Sequence, residues 1–382
     1  MPHRLKEILT RLVTTRVAWP LLLSIALLCM VSVLTLSNYF PTYAKTQQLH
    51  IVLGLTLLLT VMLPNYQWLG RFSFPALGIV ILMLAGVLLT PDIKGARRWF
   101  ALPGFQLQPS ELAKFTFVVA LAWYLRHRRN CRELTGLVGP FLIMLVPMGL
   151  ILIEPDLGTS LLFPPTLYAM LIAAGARIRH LVIITVIALL VMPGFWPLLR
   201  PYQKDRIASI ALRLTGNASA YDRQHNDYQQ RQSELALAFG GWAGPSQDSH
   251  DNIQKGVINA LPEAHTDFIF AIIGAQWGLI GCLLVLVLYL CFYGASFEIA
   301  GSMKEPFGRL LAVGIASMIL FQALINMAMT IGLCPVVGIA LPFLSYGGSS
   351  LVTNMIAAGI LLSISVRRTT QMLNPTFAMS QS

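Results

Sequence analysis

Charge is what this sequence has least of. Asp and Glu number 16 and Lys and Arg 27 among 382 residues, so charged side chains make up 11% of the chain. Soluble domains usually run nearer a quarter charged, and the shortfall excludes an ordinary water-soluble globule. Cysteine is scarce as well. Cys29, Cys131, Cys282, Cys291 and Cys334 are scattered without metal-ligand spacing, three of them inside apolar segments, which leaves them packing roles. No basic helix and no aromatic stacking platform accompany the net charge of +11, so it does not read as nucleic-acid binding. It reads as a topological signal combined with attraction to acidic lipid headgroups.

What abounds is apolar surface: 56% of the residues are hydrophobic, and the mean hydropathy is +0.68. Runs such as 20–36, 76–89 and 279–293 approach the roughly 20 residues that span a bilayer. The expected fold is an all-α polytopic integral membrane protein with about ten spanning helices. They fall near 18–38, 49–65, 73–91, 110–126, 137–153, 161–176, 181–199, 267–293, 309–332 and 349–366. A single transmembrane domain then covers 1–382, including a long polar loop, 200–266, between helices seven and eight. Alternate connections hold fifteen basic residues, Arg4, Arg126, Arg128, Arg179 and Arg367 among them; the opposite short connections hold four, Lys45, Lys94, Arg97 and Arg98. Short loops rich in Lys and Arg face the cytoplasm, so both termini are expected there and the 200–266 loop outside. The charged stretch 1–16 precedes a full-length apolar helix without a small-residue cleavage site, and reads as a retained anchor.

The polar residues that resist this apolar setting cluster on the outer side. At 261–270, LPEAHTDFIF, a polar segment ends and an apolar helix begins, with Asp267 at the seam. A charge nearer the centre of that helix would cost roughly 2.5–3.5 kcal/mol on insertion scales; at the edge the penalty fades. Asp267 could instead be an ordinary N-cap of the helix, and His265 is a second proton acceptor beside it. In the 92–108 connection, Arg97 and Arg98 beside Trp99 suit either headgroup anchoring or a bidentate grip on a phosphate-bearing lipid. Glu111 and Lys114 share a face of the helix opened by Pro109 and Ser110, with Lys114 inside the apolar stretch. The turn Glu154, Pro155, Asp156 suits a divalent cation, arginine pairing, or capping of the next helix by Asp156. The segment 228–241 is helical with an apolar face and is expected to lie along the membrane surface. In 335–350, Pro342, Gly347 and Gly348 break helicity at membrane depth, where irregular backbone needs protein around it.

Six segments together, GARRW from Gly95, QPSELAK from Gln108, EPDLGTSLL from Glu154, PYQKDRI from Pro201, LPEAHTDFIFA from Leu261 and GIALPFLSYGGSSL from Gly338, resemble the SEDS family of cell-wall polymerases, the RodA, FtsW and SpoVE group, in order and along nearly the whole chain. The compact length, PYQKDRI and PVVGI look most like the RodA branch. The resemblance implies peptidoglycan glycosyltransfer: lipid II polymerised at the outer face of the cytoplasmic (inner) membrane, for elongation and cell shape, with a class B penicillin-binding protein as partner.

Joining sugars with inversion from a diphosphate-activated donor needs a base for the acceptor hydroxyl and cations for the departing diphosphate. It does not need the carboxylate pair of glycoside hydrolases. The resemblance accordingly assigns Asp267 as base, with Arg97, Arg98, Lys204, Arg206 or a divalent cation such as Mg or Mn holding the diphosphate. Glu111 and Lys114 shape the floor; Glu154, Asp156 and Ser345 are candidate supports, and no organic cofactor is expected. Ala275, Gln276 and Trp277 stand where the family commonly carries one or two glutamates, implying a thinner polar network beneath the acid. The usual glycine-rich loop is reduced to AFGGWAGPS at 238–246. Two other classes stay open: a flippase for lipid-linked precursors, which would also use intramembrane Lys114 and broken helices, and a non-catalytic scaffold for a transpeptidase.

Overall fold

The computed structural model describes residues 17–90, 98–102, 105–128, 130–191, 194, 204, 226–245 and 256–373. Arg97 and Arg206 lie outside them. Among the described residues thirteen α-helices carry the fold: α1 Ala18–Tyr39, α2 Pro41–Met62, α3 Gln67–Arg71, α4 Ser73–Val87, α5 Pro109–Leu125, α6 Leu134–Ile153, α7 Leu157–Leu161, α8 Phe163–Ala173, α9 Ile178–Val191, α10 Asn226–Gly240, α11 Ile269–Ser302, α12 Pro306–Thr330 and α13 Gly348–Leu373. Each hydropathic segment expected to span a membrane overlaps a helix within its described residues. Five of these are long and apolar enough to cross a membrane by length and composition alone: α1, α6, α11, α12, and α13 over Gly348–Arg367.

The helices form one packed bundle. Helix α2 runs against α13, α1 against α11, and α12 sits centrally against α5, α8 and α11. Large apolar side chains turn outward as well as inward: Leu82, Leu190 and Ile280 are exposed on the helix surfaces. In water such an exterior would be a liability; facing lipid it is the required surface, and satisfied polar groups belong inside. Local chemistry fixes the helix starts. Pro109 and Pro306 occupy first-turn positions of α5 and α12, where proline loses no hydrogen bond. The Glu305 carboxylate caps α12 by accepting from the amides of Phe307 and Gly308.

Three features go beyond the sequence expectation. The 92–108 connection contains a two-stranded hairpin, β1 Phe100–Leu102 and β2 Phe105–Leu107, with Phe100 opposite Leu107. The Gln106 carbonyl accepts from Ser349 Oγ, and the Gln108 amide donates to the same hydroxyl, which ties the hairpin to the start of α13.

Second, α11 is interrupted rather than continuous: Gly278 adopts φ 62°, ψ −156° in its interior. The amides of Leu279 and Ile280 turn instead to the carbonyls of Gly241 and Trp242, at 2.9 and 3.1 Å. The turn after α10 therefore supplies the bonds that the break leaves open.

Third, α10 packs on protein along one side, while Leu235 stays exposed on another. Gln230, Ser233 and Ala236 are buried, Ser233 Oγ donates to the Thr330 carbonyl (2.8 Å), and the helix contacts α11 and α12.

The irregular segment before α13 is enclosed, as its composition requires. In the turn at 341–345, Ser345 Oγ accepts from the Leu341 amide (2.7 Å). Ser32 Oγ donates to the Leu344 carbonyl and Gln47 Nε2 to the Ser345 carbonyl (3.1 Å). Tyr289 Oη donates to the Pro342 carbonyl. Side chains of α1, α2 and α11 thus replace the helical bonds that proline and glycine forgo.

Candidate active site

An extended segment, 335–341, runs through the bundle between α12 and the turn at 341–345, and the singled-out motifs converge on it. At Gly338, whose φ of 70° is left-handed, a Cβ atom would stand 3.3 Å from Asp267 Oδ2. The carboxylate therefore lies directly against this backbone. Asp267 is half-buried in the turn that precedes α11. It is not the helix cap: α11 begins at Ile269, its N-cap position is Phe268, and no side chain makes a cap bond there. The capping role that would make the acid ordinary is thereby removed.

Two amides one turn apart on α12 hold the segment. Asn326 Nδ2 donates to the carbonyl of Asp267 (2.8 Å) and to that of Ile339 (2.6 Å). Gln322 Nε2 donates to the carbonyl of Ala340 (2.8 Å). Gln322 Oε1 in turn accepts from Lys114 Nζ (3.0 Å), which is paired with Glu111 Oε1 at 2.9 Å. All four side chains are buried. The expected Glu111–Lys114 pair on α5 exists, and its ammonium is already engaged by the amide that braces the 335–341 segment.

The Glu154–Pro155–Asp156 turn approaches the same backbone, for a Cβ at Gly158 would stand 2.5 Å from the Val337 carbonyl. Of the roles open to Asp156, the structure takes capping. Its Oδ1 accepts from the Thr159 amide (3.2 Å). Its Oδ2 accepts from Thr159 Oγ1 (2.8 Å), Ser110 Oγ (3.1 Å) and Gln108 Nε2 (3.2 Å). The turn also receives Arg98, whose Nε donates to the Glu154 carbonyl (3.2 Å) and whose Nη2 donates to that of Pro155. Arg98 thus organises the turn through main-chain oxygens.

Glu154 is fully buried, and neither carboxyl oxygen has a hydrogen-bond partner. Burial, reinforced by neighbouring Asp156 and partly opposed by Arg98, pushes its carboxyl up to about 8. In this turn the Asp156 carboxylate has its oxygens committed to donors, whereas neither Glu154 oxygen has a partner. Among the described residues no group of three or more His, Cys, Asp or Glu side chains could hold a metal.

His265 sits two residues before the acid in an aromatic cluster. Its ring stacks on Tyr43 at 4.2 Å between centroids and 12° between planes, with Tyr346 and Phe40 beside it. The Tyr346 amide donates to the His265 carbonyl (3.0 Å), so His265 meets Tyr346 through its backbone as well as its ring. Ser345 is a turn clamp, as described. Lys204 is half-buried, with its neighbours in sequence outside the described residues.

Gln322 and Asn326 are the residues that sequence reasoning missed. A signal existed: two amides at i and i+4 within an otherwise apolar helix, where polar side chains mark contacts between helices.

The family model covering FtsW, RodA and SpoVE, described as cell cycle protein, matches residues 7–370. The probable peptidoglycan glycosyltransferase FtsW of Trichlorobacter lovleyi is 35% identical over 328 residues, 85% of this chain and 83% of that protein. Stage V sporulation protein E of Bacillus subtilis is 35% identical over 329 residues, 85% of this chain and 87% of that protein. Among solved structures, a chain from a study of the structural coordination of polymerization and crosslinking by a peptidoglycan synthase complex matches with a TM-score of 0.77 at 30% identity, over 92% of this chain and 98% of its own. Rod shape determining protein RodA of Thermus thermophilus matches with a TM-score of 0.67 at 27% identity, over 92% and 97%. With the family model spanning nearly the whole sequence and the relatives aligned over most of their length, this chain belongs to the FtsW, RodA and SpoVE family, the SEDS proteins.

Proposed function

We propose that this chain polymerises lipid II into glycan strands, with Asp267 as the general base. The chain is a multi-pass membrane protein and a peptidoglycan glycosyltransferase of cell-wall synthesis, the activity its curated relatives are named for. The observation that carries the proposal further is the position of Asp267: a half-buried carboxylate outside the first turn of α11, against Gly338, with its own backbone held by Asn326.

In the proposed step the Asp267 carboxylate takes the proton of the acceptor sugar's 4-hydroxyl. The freed oxygen pair attacks the anomeric carbon of the donor sugar from the face opposite its diphosphate. The carbon–oxygen bond to phosphate breaks, and the lipid diphosphate leaves with that electron pair, so the configuration inverts. General base catalysis of this kind is typically worth roughly 10²–10⁴-fold. Charge on the departing diphosphate is assigned to Arg97, Lys204 and Arg206, two of which lie outside the described residues. Arg98 acts one layer back by holding the 154–155 turn, and Glu111 with Lys114 braces the floor through Gln322.

The reaction is assigned to the outer face of the cytoplasmic membrane by the distribution of basic residues. A class B penicillin-binding protein is the proposed partner; the solved complex that couples polymerization to crosslinking supports that choice. Elongation and cell shape rest on the compact length and the PYQKDRI and PVVGI segments, whereas the relatives cited at 35% identity bear the FtsW and SpoVE names.

The experiment is reconstitution of the purified chain, with and without such a partner, in liposomes carrying labelled lipid II on both leaflets. Glycan chains sensitive to a muramidase are expected. Movement of lipid II between leaflets without polymer would transfer the assignment to a flippase, and neither product with the partner present would leave a scaffold.

A further inference from the structure

We propose that Asn326 is a positioning residue for Asp267, acting through the two backbone carbonyls it joins; this rests on the reading of Asp267 as general base. Asn326 is fully buried on an apolar stretch of α12 beside Phe321, Leu324, Ile325 and Met327. A primary amide in that setting is costly, and its Oδ1 has no hydrogen-bond partner, which leaves the donors to offset the cost. Both N–H groups are used, and on segments remote from each other: the Asp267 carbonyl before α11 at 2.8 Å, and the Ile339 carbonyl at 2.6 Å.

The bond to Asp267 explains the local chain path. Were α11 to begin one residue earlier, the Ala271 amide would bond the Asp267 carbonyl; it bonds that of Phe268 instead, at 2.9 Å. The Asp267 carbonyl is thereby turned out of the helix toward α12. The second bond holds the residue after Gly338, the glycine against which the Asp267 carboxylate lies. One amide thus fixes the spacing between the acid and the backbone wall it faces. Gln322, a turn earlier, repeats the arrangement at Ala340 and links it to Lys114. Such bracing matters because a misplacement of about 1 Å in a reacting group can cost on the order of 10²-fold in rate.

A series of similar shape and falling donor count tests this in the full-length chain. Asparagine supplies two donors, Asn326→Asp at most one, and Asn326→Leu none. With lipid II and the partner present, Asn326→Leu is expected to lower kcat by about tenfold to a hundredfold, with KM changed by less than about twofold, and Asn326→Asp to fall between. In an Asp267→Asn background, Asn326→Leu is expected to add no further loss, because the group it positions is gone. Wild-type kcat in a monodisperse Asn326→Leu protein overturns the proposal, as does an undiminished additional loss in the Asp267→Asn background. Should the leucine variant not fold, Asn326→Asp alone decides, by a kcat loss at constant KM or by its absence. Full activity in Asp267→Asn itself overturns the base assignment; an inactive Asp267→Asn beside a fully active Asn326→Leu overturns only the positioning role.

Discussion

Replacing Gly278 with alanine should separate the two halves of the junction between α11 and the turn after α10. At φ 62° and ψ −156° the residue occupies a region essentially reserved for glycine, where a side chain costs of order 1–3 kcal/mol. The new Cβ would also stand 2.6 Å from the Trp242 carbonyl carbon and 2.7 Å from the amide nitrogens of Ala243 and Gly244. These are backbone atoms and cannot rotate aside. Either α11 straightens or the turn is expelled, and both outcomes break the Leu279–Gly241 and Ile280–Trp242 bonds. At about 1 kcal/mol net per bond, the total loss is on the order of 3–5 kcal/mol. Gly294→Ala is the control, on the same helix with nothing within 4 Å of the place its methyl group would take; it should be neutral or stabilising by up to about 1 kcal/mol. Thermal unfolding of both variants in one detergent, followed by tryptophan fluorescence because Trp242 and Trp277 flank the junction, measures the difference. Limited proteolysis at 241–245 should accelerate in Gly278→Ala alone. Equal unfolding temperatures and equal cleavage would refute the reasoning.

Further outcomes concern the 154–156 turn. The folded chain keeps the Glu154 proton up to about 8, against an ordinary value of 4.5. Between those values the folded state binds more protons than the unfolded one, so this group's contribution to stability falls as pH rises, then levels off above about 8. Glu154→Gln should flatten that dependence and exceed wild type at pH 8 by on the order of a few kcal/mol, as read from unfolding midpoints between pH 5 and 9; an unchanged pH dependence contradicts the dry environment assigned to it. Asp156→Ala removes the acceptor of four donors. It should destabilise by about 1–3 kcal/mol, with Asp156→Asn losing less, in the same assay; a loss within error of zero would contradict the capping role.

The membrane class and the order of the helices were legible because both depend on hydropathy, which needs no tertiary contact. The enclosure of 341–345 was legible for a similar reason: proline and glycine at membrane depth oblige other side chains to supply hydrogen bonds, and Ser32, Gln47 and Tyr289 do so. The break at Gly278 was not, since a glycine within an apolar run looks the same in a straight helix, and only the approach of the 241–244 backbone distinguishes it. Arg98 illustrates another limit: its charge points to a phosphate, and the main-chain carbonyls it also reaches are partners that no side-chain pattern records. Asp267 was found as a candidate from its place at the seam, but its distinction from a helix cap turns on a one-residue shift in the start of α11, finer than hydropathy can resolve. The glycines kept in the reduced loop at 238–246 likewise gain meaning only once that turn is seen lying against α11.

The central claim is that the Asp267 carboxylate removes the acceptor's proton. Asp267→Asn keeps the shape of the side chain and one accepting oxygen, and deletes the negative charge and with it the basicity. Measured as the initial rate of glycan formation from labelled lipid II with the partner present, it should run roughly 10²–10⁴-fold below wild type, in protein that still inserts and still binds the partner. A rate equal to wild type would contradict the account.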